Sequence, residues 1–448
     1  MAPKAEPGTG NRDVLLPLHH LMPHAGEAAA TTAQAETKFK LDAGWRPWRV
    51  VIGCFCLSTS IYGLLSSIGL FQTYWLTHQL VGYTEIEVSW IISMFGFLDC
   101  FFGGPAGLLF DRFGLRWLLP LSCAIYTASF IGLAFSSTYG QFMGCLVVAG
   151  ISAATPTTIA FSIVNQWFRS KEGIATGCVT LGAAVGGIFF SLTLQALFDV
   201  FSWRDAVLVV SGIIALLLLL GNFLVETNLP RGPTMAVPDL RKVQQLFRCS
   251  RFWLASYAVF AWELVLFVQW GTIPSYAVSV GMGSSQFHLM MSYNMTVHLA
   301  RGAIIGRTIP LWISDRKLGP LNTAILMNIF TIAAVLIIWL PFGASSIQAL
   351  YVVVVLLGVG TGSFVPLGVA CVSTLSEAGN TGTWLGSVYS VSGFATLIGN
   401  PSTGAILARY GSPGLVAFLT AVLVSAVASA TVLRWLCHGR RWIIKDKI

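Results

Sequence analysis

Four ionisable side chains, Asp99, Glu263, Arg301 and Arg307, lie well inside apolar stretches of the chain. A charge facing hydrocarbon costs about 2.5–3.5 kcal/mol or more, so each of them must face an interior and have a partner. Two acids and two bases balance, and two chemistries fit. They could form internal ion pairs that tie helices together, or a site in which an arginine receives an anion while an acid carries a proton. The two are compatible, because a substrate carboxylate can displace an acid from its arginine. Spacing separates the arginines: Asn294, His298 and Arg301 fall at i, i+4 and i+7, one polar stripe on a helix. Arg307 lies six residues beyond Arg301, which turns it roughly 120° away. Such a stripe serves as packing glue between helices as readily as it binds a ligand. Candidate substrate contacts are therefore both arginines, His298 and Asn294, with Tyr62 and Ser66 from the first apolar stretch. Glu263, near the middle of its stretch, is the first candidate for proton coupling and Asp99 the second.

The elements that must position these groups are apolar throughout. Of 448 residues, 55% are hydrophobic and only 10% charged, with a mean hydropathy of +0.75, against roughly 25% charged in soluble domains. A water-soluble fold is excluded. The net charge of +8 is scattered between apolar segments rather than gathered on one face, so no nucleic-acid partner is implied. Runs long enough to cross about 30 Å of hydrocarbon as helices number twelve: 49–74, 88–110, 115–135, 139–165, 172–198, 203–225, 252–276, 285–310, 321–340, 347–372, 382–406 and 412–436. Residues 1–44 lack an apolar core and read as a disordered cytoplasmic tail rather than a signal peptide, so the first helix must direct insertion. The segment 226–251, with Pro230, Pro233, Pro238 and five basic residues, divides the bundle 45–225 from the bundle 252–436, and 437–448 form a second tail. Seven of the nine cysteines fall within apolar runs and read as small buried residues. No metal-ligand spacing, nucleophile triad or phosphate loop stands out, so neither an enzyme nor a cofactor is expected. The sequon at Asn294 lies inside the eighth run, where glycosylation is not expected.

Lysine and arginine set the topology. With both termini in the cytoplasm, that side carries 22 of them and the other side two, Arg204 and Arg409. The halves also repeat: Asp111-Arg112 recurs as Asp315-Arg316, Gly150 and Pro156 as Gly360 and Pro366, and Thr176-Gly177 as Thr381-Gly382, at offsets of 204, 210 and 205. The expected fold class is an all-α integral membrane protein, with twelve transmembrane helices in two six-helix pseudo-repeat bundles. That is the arrangement of a rocking transporter whose site lies between the halves near the midplane.

The turn after the second helix reads GLLFDRFGLRW, from Gly107 to Trp117. Its Gly107, Asp111, Arg112, Gly114 and Arg116 resemble the Gly-x-x-x-Asp-Arg-x-Gly-x-Arg signature of the major facilitator superfamily. The resemblance implies a latch closing the cytoplasmic side, with Asp111 facing a helix N-terminus, where the dipole favours a carboxylate. In the second copy Asp315, Arg316 and Gly319 persist but Leu311 replaces the first glycine, so a weaker latch is expected there. The stretches DAGWRPW from Asp42, GLFQTYW from Gly69 and WFRSKEGIATGCVTLGAAVG from Trp167 are similar to the monocarboxylate-transporter family, its fungal branch in particular. That resemblance implies that Arg307, in the pair Gly306-Arg307, is the substrate-binding arginine. Ala303 and Ser66 stand where the family carries an acid and a lysine, a departure that fits a larger or neutral cargo.

The expected function is secondary active transport of a small organic metabolite, a carboxylate or a secondary metabolite, by alternating access. The alternatives are a facilitator of a neutral aromatic compound such as a flavin, and a transporter-like solute sensor. The expected partners are the small-molecule substrate, protons and the lipid bilayer, with a monomer as the working unit. The expected location is the plasma membrane, with the vacuolar membrane as the alternative.

Overall fold

The computed structural model describes residues 44–169, 171–228, 240–279, 288–343, 345–376 and 381–437. The first tail, most of the central linker and the end of the second tail lie outside these residues. In a bilayer every backbone N–H and C=O needs an internal partner, which leaves helices as the economical solution for runs this apolar. The described residues form α1 (Trp45–Thr77), α2 (Ile86–Phe113), α3 (Leu118–Ala134), α4 (Tyr139–Trp167), α5 (Glu172–Val200) and α6 (Trp203–Leu224). They continue with α7 (Ser250–Ser279), α8 (His288–Gly306, running on to Leu318), α9 (Pro320–Phe342) and α10 (Ile347–Leu375). The last continuous stretch, Thr381–Cys437, breaks at Gly411, whose φ of 66° leaves the helical region. It therefore counts as α11 (381–410) and α12 (412–437), giving twelve helices among the described residues, where nine stretches are long and apolar enough to cross a membrane.

Lipid is as apolar as a protein core, and the helices separate into layers that composition does not reveal. The most apolar window of α1 is 89% buried within the protein, and those of α4 and α10 are 78% buried. In α6 and α9 the figure is 33%, and their exposed Leu216, Leu219, Phe223, Ile329 and Ile337 form part of the lipid-facing surface. Close packing at the centre rests on glycine: Gly63 of α1 and Gly186 of α5 meet backbone to backbone, and a Cβ on Gly186 would stand 2.8 Å from the Gly63 Cα. Each half packs mainly on itself. They meet along two seams, α2 against α11 and α5 against α8, pairs that the repeat exchanges with one another.

Prolines interrupt the helices beside these seams. α2 breaks at Phe102, three residues before Pro105, α8 breaks at Arg307 and Thr308, before Pro310, and α10 breaks at Ser363, before Pro366. Proline lacks the N–H that would bond the carbonyl four residues earlier. Those freed carbonyls recur in the candidate site.

Candidate functional site

One end of the bundle carries Arg46, Arg49, Arg112, Arg116, Arg169, Lys171, Arg316 and Lys317, and the other carries Arg204 and Arg409. At the opposite face, where few bases lie, helices start with caps of their own. Thr84 and Thr138 form capping boxes, and Ser202 and Ser346 accept from main-chain amides. At the basic face α5 starts after Lys171, which supplies no side-chain cap. Its first amides are taken instead by the other half. Asp315 accepts from Gly173 N at 3.0 Å and from Ile174 N at 2.9 Å. Across the companion seam Asp111 accepts from Thr383 N and Thr383 Oγ1, both at 3.0 Å. Each aspartate thus supplies an N-cap across the seam. Neither aspartate lies in the turn itself, since α2 runs to Phe113 and α8 to Leu318. The turns are made by Gly114 and Gly319, at φ 69° and 77°, where a β-carbon is disfavoured.

Two expectations about this region are corrected. The second latch is not the weaker one in geometry, because Asp315 holds two main-chain amides where Asp111 holds one amide and one hydroxyl. Room for it comes from α5, where Gly173 faces the Asp315 carboxylate and Gly177 faces the Arg307 carbonyl and Leu311. The repeat register of α5 and α11 is also one turn away from the sequence pairing. Gly382 faces Asp111 and Gly386 faces the Gly103 carbonyl, so Gly173 corresponds to Gly382 and Gly177 to Gly386. Further contacts hold the seams. Ser390 Oγ of α11 donates to the Phe101 carbonyl freed by Pro105, at 2.6 Å, and Ser373 Oγ of α10 donates to the Glu172 carboxylate.

About 18 Å deeper, at 1.5 Å per residue from Gly319, Arg307 is 4% exposed. Its Nε donates to the Gly362 carbonyl at 3.3 Å, and its Nη1 donates to the Thr180 carbonyl at 2.5 Å. Gly362 O is the acceptor freed by Pro366, and Thr180 belongs to α5 of the other half. The guanidinium therefore bridges the halves through two carbonyls, and the rest of its N–H fork is left for other acceptors. Glu263 of α7, 4% exposed, interacts electrostatically with it, as does Tyr62 of α1. A π-helical turn, Thr59–Gly63, interrupts α1 at Tyr62, a feature frequent at functional sites. Tyr62 packs on Phe161 with ring centroids 5.9 Å apart. Both line a cavity of about 10 Å³ with Asp99, Thr157 and Tyr389, space for about one water. A larger crevice of about 430 Å³ runs along the α5–α8 seam, lined by Ile174, Cys178, Arg307, Thr308, Ile309 and Trp312.

Of the residues singled out from sequence, Tyr62, Asp99, Glu263 and Arg307 come together at the junction of the halves. Arg301 does not join them. It is exposed, on the stripe of α8 that also exposes Ile305, Thr308, Ile309 and Trp312. His298 is half-buried and stacks on Tyr351 of α10, with centroids 4.4 Å apart. Asn294 lies in α8, but its side chain is outside the described residues. Ser66 is half-buried against α5, beside Gly187, and donates to the Tyr62 carbonyl at 2.7 Å. Arg112, Arg116 and Arg316 are exposed at the basic face, over the rings of Phe113, Trp117 and Trp312. Sequence reasoning passed over Thr157 and Tyr389, polar groups within apolar helices with no distinguishing spacing. It also missed the acceptors of Arg307, although Pro366 signalled one of them.

Two overlapping matches of the family model described as Major Facilitator Superfamily cover residues 50–311 and 264–443. The chain belongs to the major facilitator superfamily. This major facilitator protein is a multi-pass membrane protein. It is 29% identical over 371 residues to MFS-type transporter 1 of Ophiocordyceps sp. (strain BCC 1869), covering 82% of this chain and 80% of that one. It is 27% identical over 455 residues to the riboflavin transporter MCH5 of Saccharomyces cerevisiae, covering 94% and 86%. To the aspyridones efflux protein apdF of Emericella nidulans it is 27% identical over 376 residues, covering 83% and 74%. In fold it is similar to the crystal structure of the human organic anion transporter MFSD10, with a TM-score of 0.68 at 15% identity, covering 86% of this chain and 99% of that one.

Proposed function

We propose that this protein is a secondary active transporter of a small organic anion, a carboxylate or a carboxylated secondary metabolite, working by alternating access. The observation that carries the reading is the placement of Arg307: a buried guanidinium held by a carbonyl from each half. When α5 parts from α8, the bond to Thr180 is lost, and a planar, bidentate donor becomes available to a carboxylate. Binding is then linked to the motion, as a rocking carrier requires. Asp111 and Asp315 serve as the gate at the basic face, which we place in the cytoplasm on the positive-inside asymmetry.

The motifs of the monocarboxylate family, its fungal branch in particular, point to the same class of cargo. A second reading, a neutral aromatic cargo, draws on the likeness to a protein named as a riboflavin transporter and on the Tyr62–Phe161 pair at the cavity. The plasma membrane is the proposed location. Uptake and efflux in vesicles reconstituted with the purified protein, against a panel of carboxylates and flavins, with and without a pH gradient, separate the readings. Movement of an anion that is lost in Arg307→Gln supports the first. Movement of flavins alone, unchanged in Arg307→Gln, replaces it with the second, and movement of neither removes both.

A further inference from the structure

Asp99 sits at the middle of α2, 2% exposed, about 20 Å from either end of the span. Both carboxylate oxygens are buried, and neither holds a hydrogen bond. The hydroxyls of Tyr62 and Thr157 stand beside it as the neutral donors within reach, although neither is aligned on it in this arrangement. The cavity it faces is built from both halves, by Tyr62 of α1, Thr157 and Phe161 of α4, and Leu385 and Tyr389 of α11. Among the described residues no arginine or lysine lines it. The titratable groups around Asp99 are Tyr62 from α1, Cys100 on its own helix, Tyr126 from α3 and Glu263 from α7, with Tyr389 of α11 across the cavity. All of these carry either no charge or a negative one.

A carboxylate enclosed here would be a buried charge answered by neutral hydroxyls and by no cation, whereas a carboxylic acid carries no net charge to strand. Glu263 differs in having a cation, Arg307, among its electrostatic neighbours, beside the like charge of Asp99. We propose that Asp99, rather than Glu263, is the proton-binding site, taking one proton as the α2–α11 seam closes over it and releasing that proton to water as the seam parts. Hydronium from the water in the open seam supplies the proton, and the carboxylate becomes the neutral acid. This deepens the transporter reading by assigning its coupling ion, and the test needs no cargo.

The experiment measures seam closure at the basic face against pH in the full chain. Spin labels are placed at the exposed positions of Arg116→Cys and Lys317→Cys, with the half-buried Cys145, Cys178, Cys249 and Cys437 replaced by serine. If closure binds one proton, the closed-to-open ratio rises as pH falls, by up to about tenfold per pH unit. That slope should vanish in Asp99→Asn and survive in Glu263→Gln. A slope that persists in Asp99→Asn would assign the proton to Glu263 or to the latch carboxylates and overturn the proposal. A flat profile in the wild type, or loss of the slope in Glu263→Gln, would overturn it too. Should Asp99→Asn not fold, Asp99→Glu keeps the acid on a longer stem and should move the midpoint of the profile, while an unmoved midpoint counts against Asp99. Transport can fail for every solute in the panel while the slope still follows Asp99, so the two readings fail separately.

Discussion

Neutralising Asp315 tests whether closure at the basic face depends on both latches. Asp315 accepts two main-chain amides of α5 at 3.0 and 2.9 Å, and those amides have no side-chain cap of their own. Hydrogen bonds to a charged group are worth about 1.5–3 kcal/mol, and a carboxylate at a helix N-terminus adds about 0.3–1 kcal/mol. The site is half-buried at the water-facing end, so screening trims these values. Asp315→Asn keeps one acceptor oxygen and loses the charge and the second bond, a loss of about 1.5–3 kcal/mol from the closed state. At tenfold per 1.4 kcal/mol, the closed-to-open ratio should fall by about 10- to 100-fold. Asp111→Asn should have a similar effect, and the double variant should approach the product, because the latches sit on separate seams. The assay is the distance distribution between labels at positions 116 and 317, in which opening moves population to the longer distance. A shift below about twofold for Asp315→Asn, beside a tenfold shift for Asp111→Asn, would refute the equivalence of the latches and restore the ranking read from the degraded second motif.

Three further outcomes are expected. Arg307→Lys and Arg307→Gln should both weaken binding of the transported anion, about tenfold or more, since lysine loses the planar fork, whereas Arg301→Gln should leave affinity within about twofold; equal losses at both positions in equilibrium binding would remove the distinction. Gly107→Ala places a β-carbon on the Gly382 carbonyl, where backbone cannot yield, so labels at 116 and 317 should report a mostly open basic face in a protein of near-normal thermal stability. Gly186→Val should do the opposite, because its side chain would strike Gly63 within the first half: overpacking costs about 1–3 kcal/mol, which should lower the melting temperature by a few degrees without changing the pH response of the seam.

Much of the fold was legible because lipid imposes a severe rule. A run of about 20 apolar residues that must satisfy its own backbone is a helix, so the twelve spans could be located from hydropathy alone. The two aspartates were legible for a related reason, since charges beside apolar runs stand out and their recurrence at the ends of helices 2 and 8 marked the repeat. The register of that repeat was not. Gly173 and Gly177 both precede spaced small residues, and only the contacts of Gly173 with Asp315 and of Gly382 with Asp111 choose the pairing. The facing of the charged groups was illegible for a deeper reason. In water, the polar side of a helix points outward and the pattern reports orientation. In a membrane the outside is as apolar as the core, so the residues around Arg301 and Arg307 look alike in sequence while one is exposed and the other buried. The sequence by itself determined the spans and the existence of buried charge that had to be answered. Only the tertiary structure decided how it is answered: Arg307 by carbonyls from both halves, one of them freed by Pro366, and Asp99 by the neutral hydroxyls of Tyr62 and Thr157 beside it, because those partners come from helices that hydropathy treats as interchangeable.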